Sequence, residues 1–289
     1  GAWKLRHKYP DPWEMPAGTP VRGFSYFSSF GCPEPCTFCC SPMVTGRRWK
    51  AIPGKLTAER LLELHDRFKF NVMRFQDANF GVAEKRTKEF CEELVNLNVP
   101  IHWNGTIEIE TIMRYKESTL DLLEESKCHL LWLGAETGTK DMQERIKKHI
   151  GIDNIPIAVG ELCKRNIVPG TFWIIGYPGE TEESMAATLK AAANLKYRYP
   201  IAGSDVYPFR PIPGTEDFDL AVLGNGLAEE FVARCREGVV VGDAKSNEAA
   251  FGLVGDRSPA QFCHDREGHT GVGFDGGQNL GGGGSGHEG

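Results

Sequence analysis

Residues 24–40 read Phe24-Ser-Tyr-Phe-Ser-Ser-Phe30-Gly31-Cys32-Pro-Glu-Pro-Cys36-Thr-Phe38-Cys39-Cys40. An aromatic run of the kind that forms strands leads directly into a loop with three cysteines at CxxxCxxC spacing. Three thiolates leave one iron of a four-iron cluster without a protein ligand, whereas a closed structural metal site fills every position. The stretch therefore predicts a strand followed by a metal site that keeps one position open for chemistry.

Further strand-like runs follow the first, with helical patterns between them. The six runs are Phe24–Phe30, Val72–Phe75, Ile101–Ile109, Leu130–Leu133, Thr171–Ile175 and Asp205–Phe209. The helical patterns are Thr57–Phe68, Ala83–Leu97, Thr119–Lys127 (opened by a capping pair, Ser118 and Asp121), Lys140–His149, Ile155–Arg165 and Glu183–Tyr197. Strands that alternate with helices join through right-handed crossovers into a parallel sheet. We therefore predict an α/β fold, a partial (β/α)6 TIM-like barrel of parallel strands.

Glycine and polar residues gather where the predicted strands end. Cys32 follows the first run, and Asp77 and Asn79 follow the second. The later strand ends are followed by Gly134-Ala-Glu136-Thr-Gly138, Gly176-Tyr-Pro-Gly-Glu-Thr181 and Arg210-Pro-Ile-Pro-Gly-Thr215. Active sites of parallel sheets lie beyond the carboxyl ends of the strands. We therefore expect these residues to form one rim.

The composition is that of a globular protein with a sizeable core. The 289 residues are 40% hydrophobic and 25% charged, with a formal net charge of −6. This acidic balance argues against a nucleic-acid partner, and the sequence has no apolar run of about 18 residues that would span a membrane. The cysteine count is odd, and Cys91, Cys128 and Cys163 fall inside helix or strand patterns. We therefore expect reduced, buried thiols and a cytoplasmic location.

The chain divides into three segments by pattern. Residues 21–224 carry the alternating strands and helices and form the expected catalytic core. Residues 1–20 are expected to be a lead-in, a remnant of a linker from a missing domain. Periodicity fades after residue 224, and half of residues 268–289 are glycine. We expect 225–289 to be a poorly structured or non-native tail.

Two other kinds of site compete for the cysteine loop. A zinc site needs a fourth ligand, and no second Cys/His pair stands at finger or ribbon spacing. His65 is the nearest downstream candidate, but its place on the apolar face of a predicted helix is typical of a core histidine. A redox site formed by Cys36 and Cys39 would require a position at a helix N-terminus and no third thiol nearby. We therefore favour an open iron–sulfur site, with a zinc-binding structural or nucleic-acid-contacting module as the alternative.

The motifs of residues 21–216 resemble those of the radical S-adenosylmethionine (radical SAM) superfamily. The resemblance rests on the CxxxCxxC loop with Phe38 before its third cysteine and on four later motifs in order. These are Phe75-Gln-Asp-Ala-Asn-Phe80, Gly134-Ala-Glu-Thr-Gly138, Gly176-Tyr-Pro-Gly-Glu-Thr181 and Pro211-Ile-Pro-Gly-Thr215. Together they are similar to the subgroup that often carries an N-terminal cobalamin-binding domain.

The resemblance implies a 4Fe–4S cluster bound by Cys32, Cys36 and Cys39, with SAM on the fourth iron. It implies that the reduced cluster cleaves SAM to methionine and a 5′-deoxyadenosyl radical, which abstracts hydrogen from the substrate. An electron donor such as flavodoxin or ferredoxin and a small-molecule or natural-product substrate are the implied partners. The subgroup favours methyl transfer to an unactivated carbon, or a related radical rearrangement.

The resemblance also suggests roles for single residues, each with a structural alternative. Phe38 is expected near the cluster and adenine, or as a core-filling loop residue. Glu136 is expected to accept hydrogen bonds from the ribose or the SAM ammonium, or to form a salt bridge at the rim. Asp77 and Asn79 are expected to contact SAM or substrate, or to cap the next helix.

Three further expectations complete the site. Gly176 would let the backbone approach the adenine, although a plain strand–helix turn needs the same residue. Arg210 would neutralise a carboxylate of SAM or substrate, and Cys40 is not expected to be a ligand. No Asp-x-His-x-x-Gly motif precedes the cysteine loop. We therefore expect cobalamin only together with a domain missing from this chain.

Overall fold

Six parallel strands form the central sheet of the computed structural model, which describes residues 21–224. In chain order these strands are β1 (Gly23–Tyr26), β4 (Val72–Phe75), β5 (His102–Ile107), β6 (Cys128–Glu136), β7 (Val168–Ile175) and β8 (Gly203–Pro208). Their order in the sheet is the order in the chain, and every pair of neighbours is parallel. The predicted α/β fold with six parallel strands is confirmed.

Helices connect the strands and cover one face of the sheet. They are α1 (Cys40–Thr45), α2 (Gly54–Phe68), α3 (Glu84–Asn96), α4 (Ile109–Arg114), α5 (Glu117–Glu125), α6 (Lys140–Arg145), α7 (Asn154–Lys164), α8 (Glu182–Arg198) and α9 (Glu216–Gly224). Apolar side chains of α2, α3, α5, α7 and α8 form one buried cluster with side chains from the sheet. We call the opposite side of the sheet the inner face.

Aromatic rings fill the core between the sheet and α3. Phe75, Phe80, Phe90 and Trp103 are at most 2% exposed, and their ring centroids lie 4.7–6.0 Å apart. Side chains alternate between the two faces of a strand, so Phe75 and Trp103 face the helices while Arg74 and Asn104 lie on the inner face. This alternation decides which residues are available to a site inside the partial barrel.

The first predicted strand, Phe24–Phe30, is two elements in the structure. The chain leaves the sheet after Tyr26, and β2 (Ser29–Phe30) pairs antiparallel with β3 (Lys50–Ala51). Asp77 accepts hydrogen bonds from both the backbone amide and the hydroxyl of Ser28, which fixes the turn between the two elements. The chain is therefore extended on both sides of this turn, but it changes direction just before the cysteine loop.

Helix α4 was not predicted, because Ile101–Ile109 reads as one uninterrupted strand. The strand ends at Ile107, and Ile109 and Ile112 pack into the core from a helical turn. The predicted capping pair of Ser118 and Asp121 was also wrong.

Helix α5 begins at Glu117, with Lys116 at its N-cap and no side-chain cap of its own. Its first turn is instead held by Glu84 of α3, which accepts hydrogen bonds from Lys116 N and Thr119 Oγ1. A contact between distant helices thus replaces the local cap that the spacing suggested.

The predicted helix Lys140–His149 ends at Arg145 in the structure. Lys147 adopts a left-handed backbone (φ 54°), which a continuing helix does not allow. Within the described part of the chain, no helix is long and apolar enough to cross a bilayer. The expectations for residues 1–20 and 225–289 concern segments outside the described residues.

Candidate functional site

Backbone hydrogen bonds connect the cysteine loop to the segments that follow β6 and β8. Thr37 N donates to Ile146 O (3.0 Å) after α6, and Asp217 N in α9 donates to Thr37 O (3.2 Å). At the start of the loop, Gly31 has φ +87°, and a Cβ there would lie 2.0 Å from Arg48 O. A side chain at Gly31 would therefore collide with the backbone of Arg48, so the start of the loop favours glycine.

The loop presents three free thiols in a largely dry environment. Cys32 and Cys36 are buried and Cys39 is half-buried, whereas Cys40 is exposed at the start of α1. Burial raises the pKa of all three thiols, that of Cys36 to about 12. Buried thiols of this kind ionise only when a cation compensates the charge. The donor set therefore fits a thiolate-binding metal group.

The arrangement does not match a single-ion site. Among the described residues, no three His, Cys, Asp or Glu side chains converge as ligands of one metal ion. A zinc site requires such convergence, whereas in a 4Fe–4S cluster each cysteine binds a different iron. His65 bonds elsewhere, since its Nδ1 lies 2.6 Å from Phe70 O and its ring packs on that of Phe70. The zinc alternative thus lacks its ligand set in this part of the chain.

A buried lysine joins two carboxylates beside the cysteine loop. Lys148 Nζ lies 2.8 Å from Glu108 Oε2 and 3.4 Å from Glu136 Oε1, and Lys148 is only 4% exposed. Burial would lower the pKa of Lys148, but the two carboxylates outweigh it and raise that pKa well above its usual range. Burial and the nearby Glu108 raise the pKa of Glu136, since Lys148 compensates it only in part.

Glu136 occupies an unusual backbone position at the end of β6. Its φ is +61°, and the pairing of β6 with β7 shifts register between Gly134 and Glu136. A Cβ at Gly134 would lie 2.2 Å from Glu136 Oε1 and 2.9 Å from Lys148 Nζ. Gly134 therefore makes room for the pair, and the bulge turns Glu136 towards Lys148. Strained backbone of this kind is concentrated at functional sites.

Aromatic rings close the loop on its other side. The ring centroids of Phe38 and Tyr177 are 5.6 Å apart, and those of Tyr177 and Phe209 are 5.3 Å apart. Gly176, which precedes Tyr177 in the chain, is exposed with φ +84°, and its backbone amide donates to Glu180 Oε2 at 2.6 Å. Phe38 thus packs at the edge of a small apolar cluster, and Gly176 lies in a turn held by Glu180. Contacts of Phe38 and Gly176 with a cofactor remain predictions.

Asp77 and Asn79 are buried at the end of β4. The carboxylate of Asp77 accepts hydrogen bonds from Ser28 N (2.7 Å), Ser28 Oγ (2.6 Å) and Ser29 Oγ (2.6 Å). Asn79 Oδ1 accepts from Gly81 N (3.2 Å). The observed contacts hold the turns around the site, and contacts with SAM or substrate stay predictions. Arg210, expected at a ligand carboxylate, is exposed after β8.

Sequence reasoning missed Glu108, Lys148 and Tyr177. Glu108 directly follows β5, so the strand-end rule that selected Glu136 applies to it as well. Lys148 was hidden inside a predicted helix among other basic residues. The structure ends that helix early and buries the side chain. Tyr177 stands within a quoted glycine motif, and its hydroxyl is buried without a hydrogen-bond partner among the described residues.

Comparison with known proteins gives matches over most of the described region. The family model "Radical SAM superfamily" matches residues 26–192. An uncharacterized methyltransferase of Pyrococcus horikoshii is 28% identical over 200 residues, which are 69% of this chain and 42% of that protein. The bacteriochlorophyllide d C-12(1)-methyltransferase of Chlorobaculum tepidum is 26% identical over 192 residues, covering 65% and 40%. The chain thus spans about two fifths of the length of these relatives.

The same fold occurs in a solved radical SAM methyltransferase. The structure of TsrM from Kitasatospora setae, with tryptophan substrate and a SAM analogue bound, gives a TM-score of 0.60 at 16% identity. The match covers 75% of this chain and 43% of that one. The same enzyme has been solved with cobalamin and a 4Fe–4S cluster bound. At this identity the likeness concerns the arrangement of strands and helices.

Proposed function

We propose, because this chain belongs to the radical SAM superfamily, that it cleaves SAM at a 4Fe–4S cluster bound by Cys32, Cys36 and Cys39. The observation that carries the proposal is the loop of three free, largely buried thiols fixed beside the carboxyl ends of the strands. In this family the cluster supplies the electron that breaks the sulfonium C–S bond of SAM, giving methionine and a 5′-deoxyadenosyl radical. Cys40 is exposed and does not bind the cluster in this proposal.

The residues around the loop would hold SAM and exclude water. Glu136, on its strained bulge, accepts hydrogen bonds from the ribose or the amino group of SAM. Lys148 positions Glu136. Its positive charge also opposes the rise that burial causes in the pKa of Cys36, so it offsets negative charge near the thiolates. Phe38 shields the cluster, the Gly176 turn lies against the adenine, and Arg210 faces a carboxylate. Asp77 and Asn79 hold the turns that support this rim.

The reaction on the substrate is, in our proposal, methyl transfer to an unactivated carbon or a related radical rearrangement. Support comes from the relatives in Pyrococcus horikoshii and Chlorobaculum tepidum, both of which are named as methyltransferases. Cobalamin would require a domain outside this chain. The partners are a small-molecule or natural-product substrate and an electron donor such as flavodoxin or ferredoxin. The free cysteines are consistent with a cytoplasmic location.

Anaerobic reconstitution with iron and sulfide tests the proposal. We expect a brown protein that, after reduction, converts SAM to 5′-deoxyadenosine. Cys32→Ala, Cys36→Ala and Cys39→Ala should each abolish the conversion, while Cys40→Ala serves as the matched control. A colourless protein with stoichiometric zinc would instead support the structural or nucleic-acid-contacting alternative.

A further inference from the structure

Three aromatic side chains form a row across the inner face, one each from β6, β7 and β8. The ring centroids of Trp132 and Phe172 are 4.8 Å apart with 10° between their planes, and those of Phe172 and Tyr207 are 6.0 Å apart. Trp132 and Phe172 are half-buried, and Tyr207 is 49% exposed. The row is therefore accessible, in contrast to Trp103 and Trp173 of the core, which are at most 1% exposed.

Glycine next to the row makes space for it. Gly170 pairs with Trp132 across β6 and β7, and a Cβ at Gly170 would lie 2.3 Å from the indole ring. Gly203 pairs with Gly170 on the other side, and its own Cβ would lie 3.3 Å from the Gly170 Cα. Any side chain at Gly170 would displace the indole. Glycine at positions 170 and 203 thus leaves the middle of the sheet without side chains, so the indole can lie against the backbone.

Polar groups without a partner lie on the same face. Asn104 is 0% exposed, and neither its amide oxygen nor its amide nitrogen has a hydrogen-bond partner among the described residues. The indole nitrogen of Trp132 likewise has none. A buried polar group without a partner is destabilising, and folded proteins normally pair such groups. A few unpaired polar groups beside an accessible aromatic surface are the composition of a ligand site.

We propose that this aromatic row binds the substrate, and that the substrate carries a flat, conjugated ring system with hydrogen-bonding groups at its edge. The ring stacks on Trp132, Phe172 and Tyr207, and the edge groups pair with Asn104 and the indole N–H. The inference rests on the proposed function, because it places the substrate on the inner face, near the rim where the radical would form. Glu136 lies four residues beyond Trp132 on β6, about 13 Å along the strand.

A pair of probes with one carbon skeleton tests the inference. 2-Naphthol is flat, whereas decahydro-2-naphthol is puckered and keeps the same hydroxyl group. Titration calorimetry on the full chain, after anaerobic reconstitution, should give tighter binding for 2-naphthol. Phe172→Leu and Tyr207→Leu keep an apolar side chain but remove the ring. Each should weaken 2-naphthol binding by roughly 2- to 12-fold, the range for one aromatic pair.

Phe27→Leu is the matched control. Phe27 stacks on Phe30 at 5.6 Å, is 52% exposed, and lies outside the sheet. This variant should bind 2-naphthol as the unaltered chain does. Equal affinity for the two probes, or unchanged affinity in both Phe172→Leu and Tyr207→Leu, would overturn the inference.

The titration separates this inference from the proposed function. A chain that cleaves SAM but binds the two probes equally loses only the inference about substrate class. A chain that binds 2-naphthol through the row but takes up no iron–sulfur cluster loses the proposed function, while its aromatic site stands. Tyr207 is half-exposed, so its substitution tests binding with little effect on folding.

Discussion

The ammonium of Lys148 lies 2.8 Å from the carboxylate of Glu108, in a site where Lys148 is only 4% exposed. Glu136 shares the same ammonium at 3.4 Å. The buried Lys148 and Glu136 thus lie with the half-buried Glu108 beside three thiols that are expected to ionise. Lys148 compensates the negative charges of this region, so its removal should affect both the stability of the chain and the cysteine loop.

Lys148→Met should lower the free energy of unfolding at pH 7 by about 3–5 kcal/mol, since the buried Glu136 and the half-buried Glu108 lose their cation. The matched control is Lys147→Met. Lys147 pairs with Glu216 at 2.7 Å on the surface, where such pairs contribute about 0–1 kcal/mol. Urea denaturation of both variants checks the prediction, and equal losses in the two would contradict it.

The loss in Lys148→Met should depend on pH. The pKa of Glu136 is already raised above 4.5, and without Lys148 it should rise further. A carboxyl with a raised pKa in the folded state contributes stability below its unfolded pKa and loses it as pH rises. The deficit relative to the unaltered chain should therefore be smallest near pH 4.5 and grow towards neutral pH. A deficit that shrinks over this interval would show that Lys148 does not compensate these carboxylates.

Asp77→Ala should destabilise the chain by at least about 3 kcal/mol, because it leaves the Ser28 amide and hydroxyl and the Ser29 hydroxyl without their acceptor. Arg86, which donates to Ser28 Oγ at 2.6 Å, loses a nearby negative charge as well. Asp66→Ala removes only an exposed pair with Lys69 and should change stability by less than about 0.5 kcal/mol. Thermal melts of the two variants at one pH give the comparison.

Gly31→Ala should cost more than Gly214→Ala, although both glycines have φ +87°. The left-handed backbone costs alanine about 1 kcal/mol at either position. At Gly31 the new Cβ would also lie 2.0 Å from Arg48 O, whereas at Gly214 nothing lies within 4 Å. We therefore expect a larger drop in melting temperature for Gly31→Ala, together with weaker retention of the cluster. Equal drops would mean that the loop can move away from Arg48.

Glu136→Gly and Glu136→Gln should differ in stability but agree in function. Glycine relieves the left-handed backbone at this position by about 1 kcal/mol, and glutamine does not. Both variants remove the carboxylate, so both should weaken SAM binding to the reconstituted chain. The comparison requires melting temperatures and a SAM titration for each. Unchanged SAM affinity in both would remove Glu136 from the proposed site.

Much of the fold could be predicted because its signals are local. The alternation of strand and helix patterns gave the parallel sheet, and Glu136 was correctly placed at the end of the fourth of its strands. Errors arose where a distant contact decided the outcome. Asp77 turns the chain out of the sheet after Tyr26, and Glu84 caps α5 from another helix. Neither contact leaves a periodic trace in the sequence.

The site was harder to predict than the fold. Spacing identified the three cysteines, but the partnership of Lys148 with Glu108 joins residues 40 positions apart. Two features bring that pair together: α6 ends at Arg145, and Gly134 leaves space for the ammonium. The aromatic row also depends on register, since Trp132 lies opposite a glycine only in the observed pairing of β6 with β7. Such neighbours become visible only when the strands are aligned.

The most direct test of the central claim is the production of 5′-deoxyadenosine from SAM by the anaerobically reconstituted, reduced chain. We predict that the unaltered chain and Cys40→Ala form it, and that Cys32→Ala, Cys36→Ala and Cys39→Ala do not. Iron content measured on the same samples should fall in those three variants alone. Production that survives the loss of Cys36, or that disappears with Cys40, would contradict the assignment of the cluster to this loop.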